Sequence, residues 1–432
     1  MIVKAGLRHI YMSWPSDKPP WRHVQWFQTD PSNWPNYKHI NPEWTITIPF
    51  PNMDEPLYSL KQQIENLDSK GEWEYLKRTS NPYELVFSQS HDLRIPYSVC
   101  SIRPLSRSYF KMIEILSVLD FFKRHTGKKK ILRSAHVCEG PGGFIEALLS
   151  QSTATGSSMR LKDAWAMTLK PSKANIPGWK RAYTFLKKNP VIHVEYGADD
   201  TGDIMVPANQ KAFLEKMAGK CLLFTADGGF DFSEKYSTQE DEVFPLLVSS
   251  ALIGLQTLQI GGDFVLKVFD TELKATQDLI AMLAYCFNDW TLYKPSLSRP
   301  CNAEKYFLGR SSRKIPEWII KSLSQISELY YTGQGNPVSS ALNAYMNYSD
   351  DYLYGQYIRS IIPFIPNDVK HDIQTLKSEF LHRQIKSLEY ALVCKEEWNR
   401  DSETIWKSIY RHSLQWCSEF KMPIRVDHPA VA

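Results

Sequence analysis

The chain has 432 residues, of which 43% are hydrophobic and 23% charged, and its formal net charge at pH 7 is +4. This composition is typical of a globular protein and argues against disorder, and so small a charge requires any nucleic-acid-binding surface to be locally basic. The seven cysteines form no CxxC pair, and no run approaches the ~20 apolar residues of a membrane span. We therefore expect a soluble, intracellular protein without a zinc site or a disulfide framework.

The predicted elements divide the chain into three regions. Residues 1–95 are rich in Pro, Trp and Asn, and only 57–67 show helical periodicity, so we predict an irregular N-terminal region. In residues 96–314, strand-like and helix-like patterns alternate. The predicted strands are 131–137, 163–169, 191–197, 221–227, 262–269, 290–296 and 303–309, and the predicted helices include 106–116, 239–260 and 271–287. This alternation predicts an α/β fold with a mostly parallel, Rossmann-like sheet that ends in an antiparallel hairpin.

Residues 315–432 have helical patterns. An apolar stripe begins at Ile373, Leu376 and Phe380, and a second helix is predicted at 402–420. Because the apolar spacing drifts, we expect a packed helical hairpin rather than a long coiled coil. Two roles fit such a region, namely contact with a partner protein or support of the sheet.

The stretch CEGPGGF at 138–144 separates the first predicted strand of the sheet from a helical pattern. Its glycines permit backbone angles that other residues resist, and Pro141 cannot continue the strand. Strand, glycine-rich turn and helix is the arrangement by which an open α/β sheet presents a ligand to a helix N-terminus. Phe144 and Ile145 stand where a P-loop needs Lys followed by Ser or Thr, and the spacing does not fit GxGxxG. A tight turn without a ligand is the alternative.

Charged residues recur where predicted strands of the sheet begin or end. Asp227 ends one strand, Lys267 lies near the end of the next, Glu304 opens the last, and Lys111 lies in the helix at 106–116. Considered alone, Asp227 is explained as a turn residue before two glycines, and Glu304 is explained as an exposed surface residue. A buried lysine without a partner would lose its proton, so Lys267 needs a nearby carboxylate or a function. Two ammoniums and two carboxylates together are suited to activating a ribose hydroxyl.

The segments SRSYFKMIEI, CEGPGGF, TADGGFD, FVLKVFD and KPSLSRPCNAEKYFLG, in this order, resemble FtsJ-type ribose 2′-O-methyltransferases. Within that family they are most similar to the cap-specific mRNA (nucleoside-2′-O-)-methyltransferases of cells and of large DNA viruses. The resemblance covers about residues 100–310. It implies a catalytic tetrad of Lys111, Asp227, Lys267 and Glu304, with S-adenosylmethionine as the methyl donor and no metal.

The resemblance also implies which residues hold the donor. They are the turn residues Cys138, Glu139, Gly140, Pro141, Gly142, Gly143 and Phe144, then Thr168 and Leu169, the loop residues Asp199, Asp200 and Asp203, and Asp227. The turn would hold the methionine part, Thr168 and Leu169 would flank ribose and adenine, and the loop would lie on the adenine side. The segment AMTLKPSK at 166–173 carries no acid where many adenosylmethionine enzymes have one.

The resemblance implies capped RNA as the substrate. Arg107 and Arg299 are predicted to contact its phosphates. A 7-methylguanine cap stacks on an aromatic ring, for which the candidates are 230–236 and the tryptophans at 14, 21, 26, 34 and 44. A capping or polymerase subunit is a possible partner of the C-terminal helices. The alternatives are a 2′-O-methyltransferase for ribosomal or transfer RNA, and a non-catalytic RNA-binding subunit.

Overall fold

A mixed sheet of eight strands forms the centre of the protein. The structure is a computed structural model and describes residues 19–38, 40–45, 55–68, 71–88, 95–125, 131–154, 159–171, 178–229, 239–332 and 357–426. Its strands are β1 (Phe27–Gln28), β2 (Glu43–Thr45), β3 (Ile131–Val137), β4 (Arg160–Met167), β5 (Ile192–Glu195), β6 (Cys221–Ala226), β7 (Leu258–Val268), β8 (Phe287–Tyr293), β9 (Lys305–Ser312) and β10 (Tyr357–Ser360). Across the sheet the order is β1-β8-β9-β7-β6-β3-β4-β5, and β2 pairs separately with β10.

The five strands β5, β4, β3, β6 and β7 run parallel, and β9 and β8 add an antiparallel hairpin beside β7. The predicted Rossmann-like sheet is therefore confirmed. The strand predicted at 131–137 has its predicted ends, and the other predicted strands exist with ends shifted by a few residues. The short strand β1 was not predicted, because two residues are too few for a periodic pattern. It pairs with β8 and brings the N-terminal region onto the edge of the sheet.

Helices cover both faces of the sheet. They are α1 (Glu55–Asp68), α2 (Trp73–Thr79), α3 (Ser108–Val118), α4 (Phe121–Arg124), α5 (Gly143–Ala154), α6 (Tyr183–Lys188), α7 (Pro207–Met217), α8 (Gln239–Thr257), α9 (Lys274–Cys286), α10 (Glu317–Tyr331) and α11 (Asn367–Glu419). Successive strand residues point to opposite faces. In β7, Phe264 and Leu266 pack with α8 and α9, whereas Val265 packs with α3 and α5.

Residues Asn367–Glu419 form one continuous helix of 53 residues, so the predicted helical hairpin is wrong. The segment contains neither Gly nor Pro, and nothing in its sequence stops a helix. Its buried side chains contact three parts of the protein in turn. Ile373 lies in one apolar cluster with residues of α9, Leu388 in a second with residues of α1 and α2, and Ile409 in a third that includes residues of α3. The apolar spacing drifts because the buried side of the helix changes along its length.

Metal-binding clusters, disulfides and membrane-spanning helices were also considered in the sequence. Within the described ranges, no cluster of His, Cys, Asp and Glu has the make-up of a metal site. All seven cysteines are free. None of the helices in the described ranges combines the length and apolarity needed to cross a membrane.

Candidate active site

The residues predicted as the catalytic tetrad lie at one edge of the sheet, where the parallel strands end. Asp227 directly follows β6, Lys267 is the last residue but one of β7, and Glu304 directly precedes β9. The strands β7 and β9 are antiparallel neighbours, and Lys267 pairs with Tyr306 across them. Pairing of β6 with β7 brings Asp227 beside Lys267. A Cβ at Gly229 would lie 3.3 Å from Lys267 Nζ, so glycine leaves space for the lysine.

These side chains form a closed ring of contacts. Lys111, the fourth residue of α3, lies 2.7 Å (Nζ to Oε1) from Glu304. Lys267 Nζ lies 3.7 Å from Glu304 Oε2 and 3.2 Å from Asp227 Oδ1. The hydroxyl of Tyr306 donates a hydrogen bond of 2.7 Å to Asp227 Oδ1 and lies 3.5 Å from Lys111 Nζ. Tyr306 is fully buried and is absent from the predicted site, although the motif AEKYF contains it.

The charges of the ring stabilise one another. Burial alone would raise the pKa of Glu304, but Lys111, Lys267 and Lys294 outweigh it and hold that pKa well below its usual value. Burial would lower the pKa of Lys267, but the carboxylates of Asp227 and Glu304 raise it instead. Lys267 is therefore an ammonium at neutral pH. Two lysines and two carboxylates leave the ring itself electrically neutral.

The predicted turn leads from β3 into α5 at the same edge of the sheet. Cys138 and Gly142 have positive φ angles of 58° and 102°, and glycine adopts such an angle without strain. A Cβ at Gly143 would lie 2.3 Å from the hydroxyl oxygen of Ser108, so α5 begins in direct contact with α3. The glycine turn thus also fixes the helix that carries Lys111.

Glu139 offers a buried carboxylate inside the turn. One of its oxygens accepts a hydrogen bond from Thr225, and the other lies 3.2 Å from His136 Nδ1. That second oxygen has no hydrogen bond among the described residues. Burial raises the pKa of Glu139. A buried acceptor beside a helix N-terminus fits a ligand that carries both an ammonium and a carboxylate, as the methionine part of S-adenosylmethionine does.

The three aspartates of the predicted adenine-side loop differ in their surroundings. Asp199 Oδ1 accepts hydrogen bonds from Thr201 and Asn209. Asp200 is exposed and pairs with Lys170 at 2.6 Å. Asp203 is partly buried, and burial raises its pKa. Burial also raises the pKa of the Cys138 thiol, and the charge of Asp203 raises that pKa further. Of the three, Asp203 is the one whose charge acts on Cys138 of the turn.

Thr168 and Leu169 follow β4 at the same edge of the sheet. Thr168 is buried, and Leu169 is partly exposed. A Cβ at Gly202 would lie 2.0 Å from the carbonyl oxygen of Thr168, so the loop with the three aspartates packs directly on this strand end. The residues predicted to flank ribose and adenine thus lie beside the loop predicted on the adenine side.

The part of the chain that carries these residues matches a known protein family. Residues 104–312 match the family described as FtsJ-like methyltransferase. The chain contains an FtsJ-like methyltransferase domain. Proteins of this family use S-adenosylmethionine as the methyl donor.

The curated relatives include enzymes named for action on the mRNA cap. Cap-specific mRNA (nucleoside-2′-O-)-methyltransferase 1 of Xenopus laevis is 28% identical over 346 residues, 73% of this chain and 38% of that protein. Cap-specific mRNA (nucleoside-2′-O-)-methyltransferase 2 of Danio rerio is 33% identical over 212 residues, 47% of this chain and 28% of that protein. A probable methyltransferase of African swine fever virus is 26% identical over 230 residues, 49% of this chain and 50% of that protein. The chain thus spans at most half of each of these three relatives.

Arg107 and Arg299 of the FtsJ-like domain share one buried partner, Glu84. The Glu84 side chain is fully buried, and its carboxylate oxygens lie 2.9 Å from Arg107 Nη2 and 3.1 Å from Arg299 Nη2. Asn81 donates a further hydrogen bond of 2.9 Å. Arg107 also donates to the carbonyl oxygen of Leu297. Both guanidiniums therefore join α3 to the segment before Glu304, and their contact with RNA phosphates stays a prediction.

A second buried carboxylate, Glu114, lies one turn after Lys111 on α3. It accepts hydrogen bonds from the Tyr293 hydroxyl, from Ser296 N at 2.8 Å and Oγ at 3.0 Å, and from Trp416 Nε1 at 2.6 Å. Trp416 belongs to α11. The long helix is therefore hydrogen-bonded to the helix that carries Lys111.

The described N-terminal tryptophans mostly pack against the rest of the protein. Trp21 makes edge-to-face contacts with Tyr83 and Phe420. The Trp26 ring lies 3.5 Å from the Arg310 guanidinium, and Trp34 is buried. Trp14, the segment 230–236 and the side chain of Trp44 lie outside the described residues.

The segment 300–304 is bordered by two cavities. The smaller, of about 260 Å³, is lined by Trp73, Phe269, Lys61, Lys77, Arg299 and Glu304 among others. Lys294 holds the segment in place, because its ammonium donates to the Asn302 side chain at 2.7 Å and to the carbonyl oxygens of Asn302 and Glu304 at 2.8 and 2.7 Å. Burial lowers the pKa of Lys294 to about 7. Sequence reasoning did not include Lys294, because its hydrogen-bond partners are uncharged: the main-chain carbonyls of Asn302 and Glu304 and the side-chain oxygens of Asn302 and Ser298.

Proposed function

We propose that this protein methylates the ribose 2′-hydroxyl of a cap-proximal nucleotide of mRNA, with S-adenosylmethionine as the donor. The observation that carries the proposal is the closed ring of Lys111, Glu304, Lys267, Asp227 and Tyr306 at the strand ends of an FtsJ-like domain. The names of the relatives support the cap as the recognition element.

The donor would be held by the turn from Cys138 to Phe144, with Glu139 toward its ammonium and Asp203, Thr168 and Leu169 toward its nucleoside. When bound, S-adenosylmethionine supplies an electrophilic methyl group. Asp227 is the ring member nearest to the turn in effect, because its charge adds to burial in raising the pKa of Glu139. These residues fit the donor by their charge and position.

The tetrad orients the target hydroxyl. Lys267 is an ammonium, and it directs a hydrogen bond at the 2′-oxygen while Asp227 and Glu304 hold its position. Lys111 neutralises Glu304, so that the second carboxylate does not repel the oxygen. The hydroxyl proton passes to solvent water as the methyl group becomes bonded to that oxygen. Alignment of two reacting groups can contribute about 7–11 kcal/mol to such a transfer. The two carboxylates favour the ammonium form of Lys267, so we assign it an orienting role rather than that of a general base.

The cavity of about 260 Å³ is the proposed site of the cap guanine. It combines two aromatic side chains, Trp73 and Phe269, with the carboxylate of Glu304 and the cations Lys61, Lys77 and Arg299. A 7-methylguanine is a cationic aromatic group, for which stacking and a nearby acid are favourable. The lysines and Arg299 suit the phosphates that join cap and RNA. Arg107 and Arg299 keep their predicted RNA role in this proposal.

The decisive experiment measures transfer of labelled methyl groups to a short capped RNA and to the same RNA without a cap. Wild type, Lys267→Ala and Lys321→Ala are compared, because Lys321 is an exposed lysine of α10 that pairs only with Glu317 among the described residues. We expect label on capped RNA alone, its loss in Lys267→Ala with donor binding retained, and an unchanged rate in Lys321→Ala.

Equal label on both RNAs would instead indicate a 2′-O-methyltransferase for RNA without a cap. Absence of both label and donor binding would indicate a non-catalytic RNA-binding subunit. Contact of α11 with a capping or polymerase subunit, and an intracellular location, stay predictions.

A further inference from the structure

The larger of the two cavities beside Glu304 has a volume of about 410 Å³. It shares Asn302, Ala303, Glu304 and Gln384 with the smaller cavity, and its other walls are different. The two cavities therefore flank the segment that carries Glu304. A volume of this size lies within the range of about 300–1,000 Å³ that is typical of ligand sites.

The walls of this larger cavity suit a nucleobase. Tyr83 from the N-terminal region and Phe380 and Tyr390 from α11 supply aromatic rings, and four prolines add rigid apolar surface. Tyr83 is fixed by edge-to-face contacts with Trp21 and His412. Bases stack on such rings with little dependence on sequence, because every base has an aromatic face.

The rim of the cavity suits a phosphate. His382, Arg383 and Lys386 lie within about one turn of α11 and are exposed. The rim also carries two acids, Glu379 and Glu389, of which Glu379 pairs with Arg383. Lys386 is therefore the rim cation best placed to attract a phosphate.

We propose that the larger cavity binds the nucleotide on the 3′ side of the methylated nucleotide. This inference rests on the proposed function, in which the cap occupies the smaller cavity and the target ribose lies at the tetrad. An RNA strand that passes Glu304 must continue beyond it, and the larger cavity is the aromatic, cation-rimmed site on the other flank of that residue. The site makes the rate depend on the length of the RNA after the cap.

The test compares kcat/KM for capped RNAs with one and with six nucleotides after the cap. Lys386→Glu reverses the charge at this one position of the rim, and Val393→Trp fills the cavity, since Val393 is a partly buried lining residue. Lys370→Glu, an exposed lysine of the same helix outside the cavity, is the matched control. We expect wild type to favour the longer RNA roughly tenfold, the effect of stacking one base. In both cavity variants this preference should fall to less than about threefold, and in Lys370→Glu it should persist.

A wild-type rate that is independent of length, or cavity variants that keep the preference, would overturn the inference. An equal loss on both RNAs would also overturn it, because the cavity would then support the fold or bind the cap. If wild type methylates neither RNA, the proposed function fails separately. The anisotropy of a labelled six-nucleotide RNA then decides the matter, because Lys386→Glu must weaken its binding and Lys370→Glu must not.

Discussion

Replacing Glu84 with glutamine removes the negative charge that two arginines of the FtsJ-like domain share. The variant keeps the size of the side chain and leaves Arg107 and Arg299 without a counter-ion at 2.9 and 3.1 Å. Burial would raise the pKa of Glu84, but the two guanidiniums outweigh it and lower that pKa, so the carboxylate is charged at neutral pH. Glu84→Gln therefore removes a real charge.

The expected cost follows from the burial of the pair. Removal of one partner from a buried ion pair costs about 3–5 kcal/mol. The Glu84 side chain is 0% exposed, whereas the Arg107 and Arg299 side chains keep 20% and 26% of their exposure. We expect the lower limit, about 3 kcal/mol in the free energy of unfolding, because the guanidiniums retain contact with water.

The same change should lower kcat. Arg107 lies four residues before Lys111 on α3, and Arg299 lies five residues before Glu304. Loss of their shared partner lets these two segments move apart, and the 2.7 Å contact between Lys111 and Glu304 depends on their separation. A loss in kcat at saturating RNA, with donor binding retained, would indicate this displacement.

Urea unfolding, followed by tryptophan fluorescence, measures the stability, and methyl transfer measures the activity. Glu74→Gln is the control, because Glu74 pairs with Lys77 and Arg78 but its side chain is 59% exposed. An exposed pair of this kind contributes less than about 1 kcal/mol. If Glu84→Gln costs no more than Glu74→Gln, the buried carboxylate does not join the two segments and the reasoning is wrong.

Three further changes test other parts of the site. Tyr306→Phe removes one hydrogen bond to a charged carboxylate and should reduce kcat about tenfold. The control Tyr285→Phe in α9 should leave kcat unchanged. If Tyr306→Phe and wild type have equal kcat, the Tyr306 hydroxyl has no positioning role. Trp416→Phe removes the 2.6 Å hydrogen bond to Glu114 and should cost about 1–3 kcal/mol of unfolding free energy, and a loss below about 0.5 kcal/mol would show that the bond contributes little. The pKa of Glu304 is lowered, so the stability that its charge contributes is lost only as the pH falls through that lowered pKa. The pKa of Lys267 is raised, so the stability that its charge contributes is lost only as the pH rises through that raised pKa. Both charges thus persist at neutral pH, and a rising limb of kcat near pH 8 that Lys267→Arg displaces would contradict the orienting role of Lys267.

The fold of residues 96–314 was predictable because its signals are local. Strands such as β3 and β6 are short apolar runs, and the glycine-rich segment after β3 fits neither a strand nor a helix, so a turn is predicted there. The C-terminal helix was not predictable in the same way, because its side chains Ile373, Leu388 and Ile409 face different neighbours. When the buried face of a helix changes along its length, the apolar residues no longer recur at a constant helical spacing in the sequence.

The sequence by itself determined which residue types stand at the strand ends, since Lys111, Asp227, Lys267 and Glu304 follow from motifs in a fixed order. Only the tertiary structure decided how they meet, because β7 and β9 must pair in one register to place Tyr306 opposite Lys267. It also decided that Glu84 and Glu114 hold α3 against the segment before Glu304, through partners 23 to 302 residues away in the chain. Contacts over such separations depend on how the elements pack, and no local pattern encodes them.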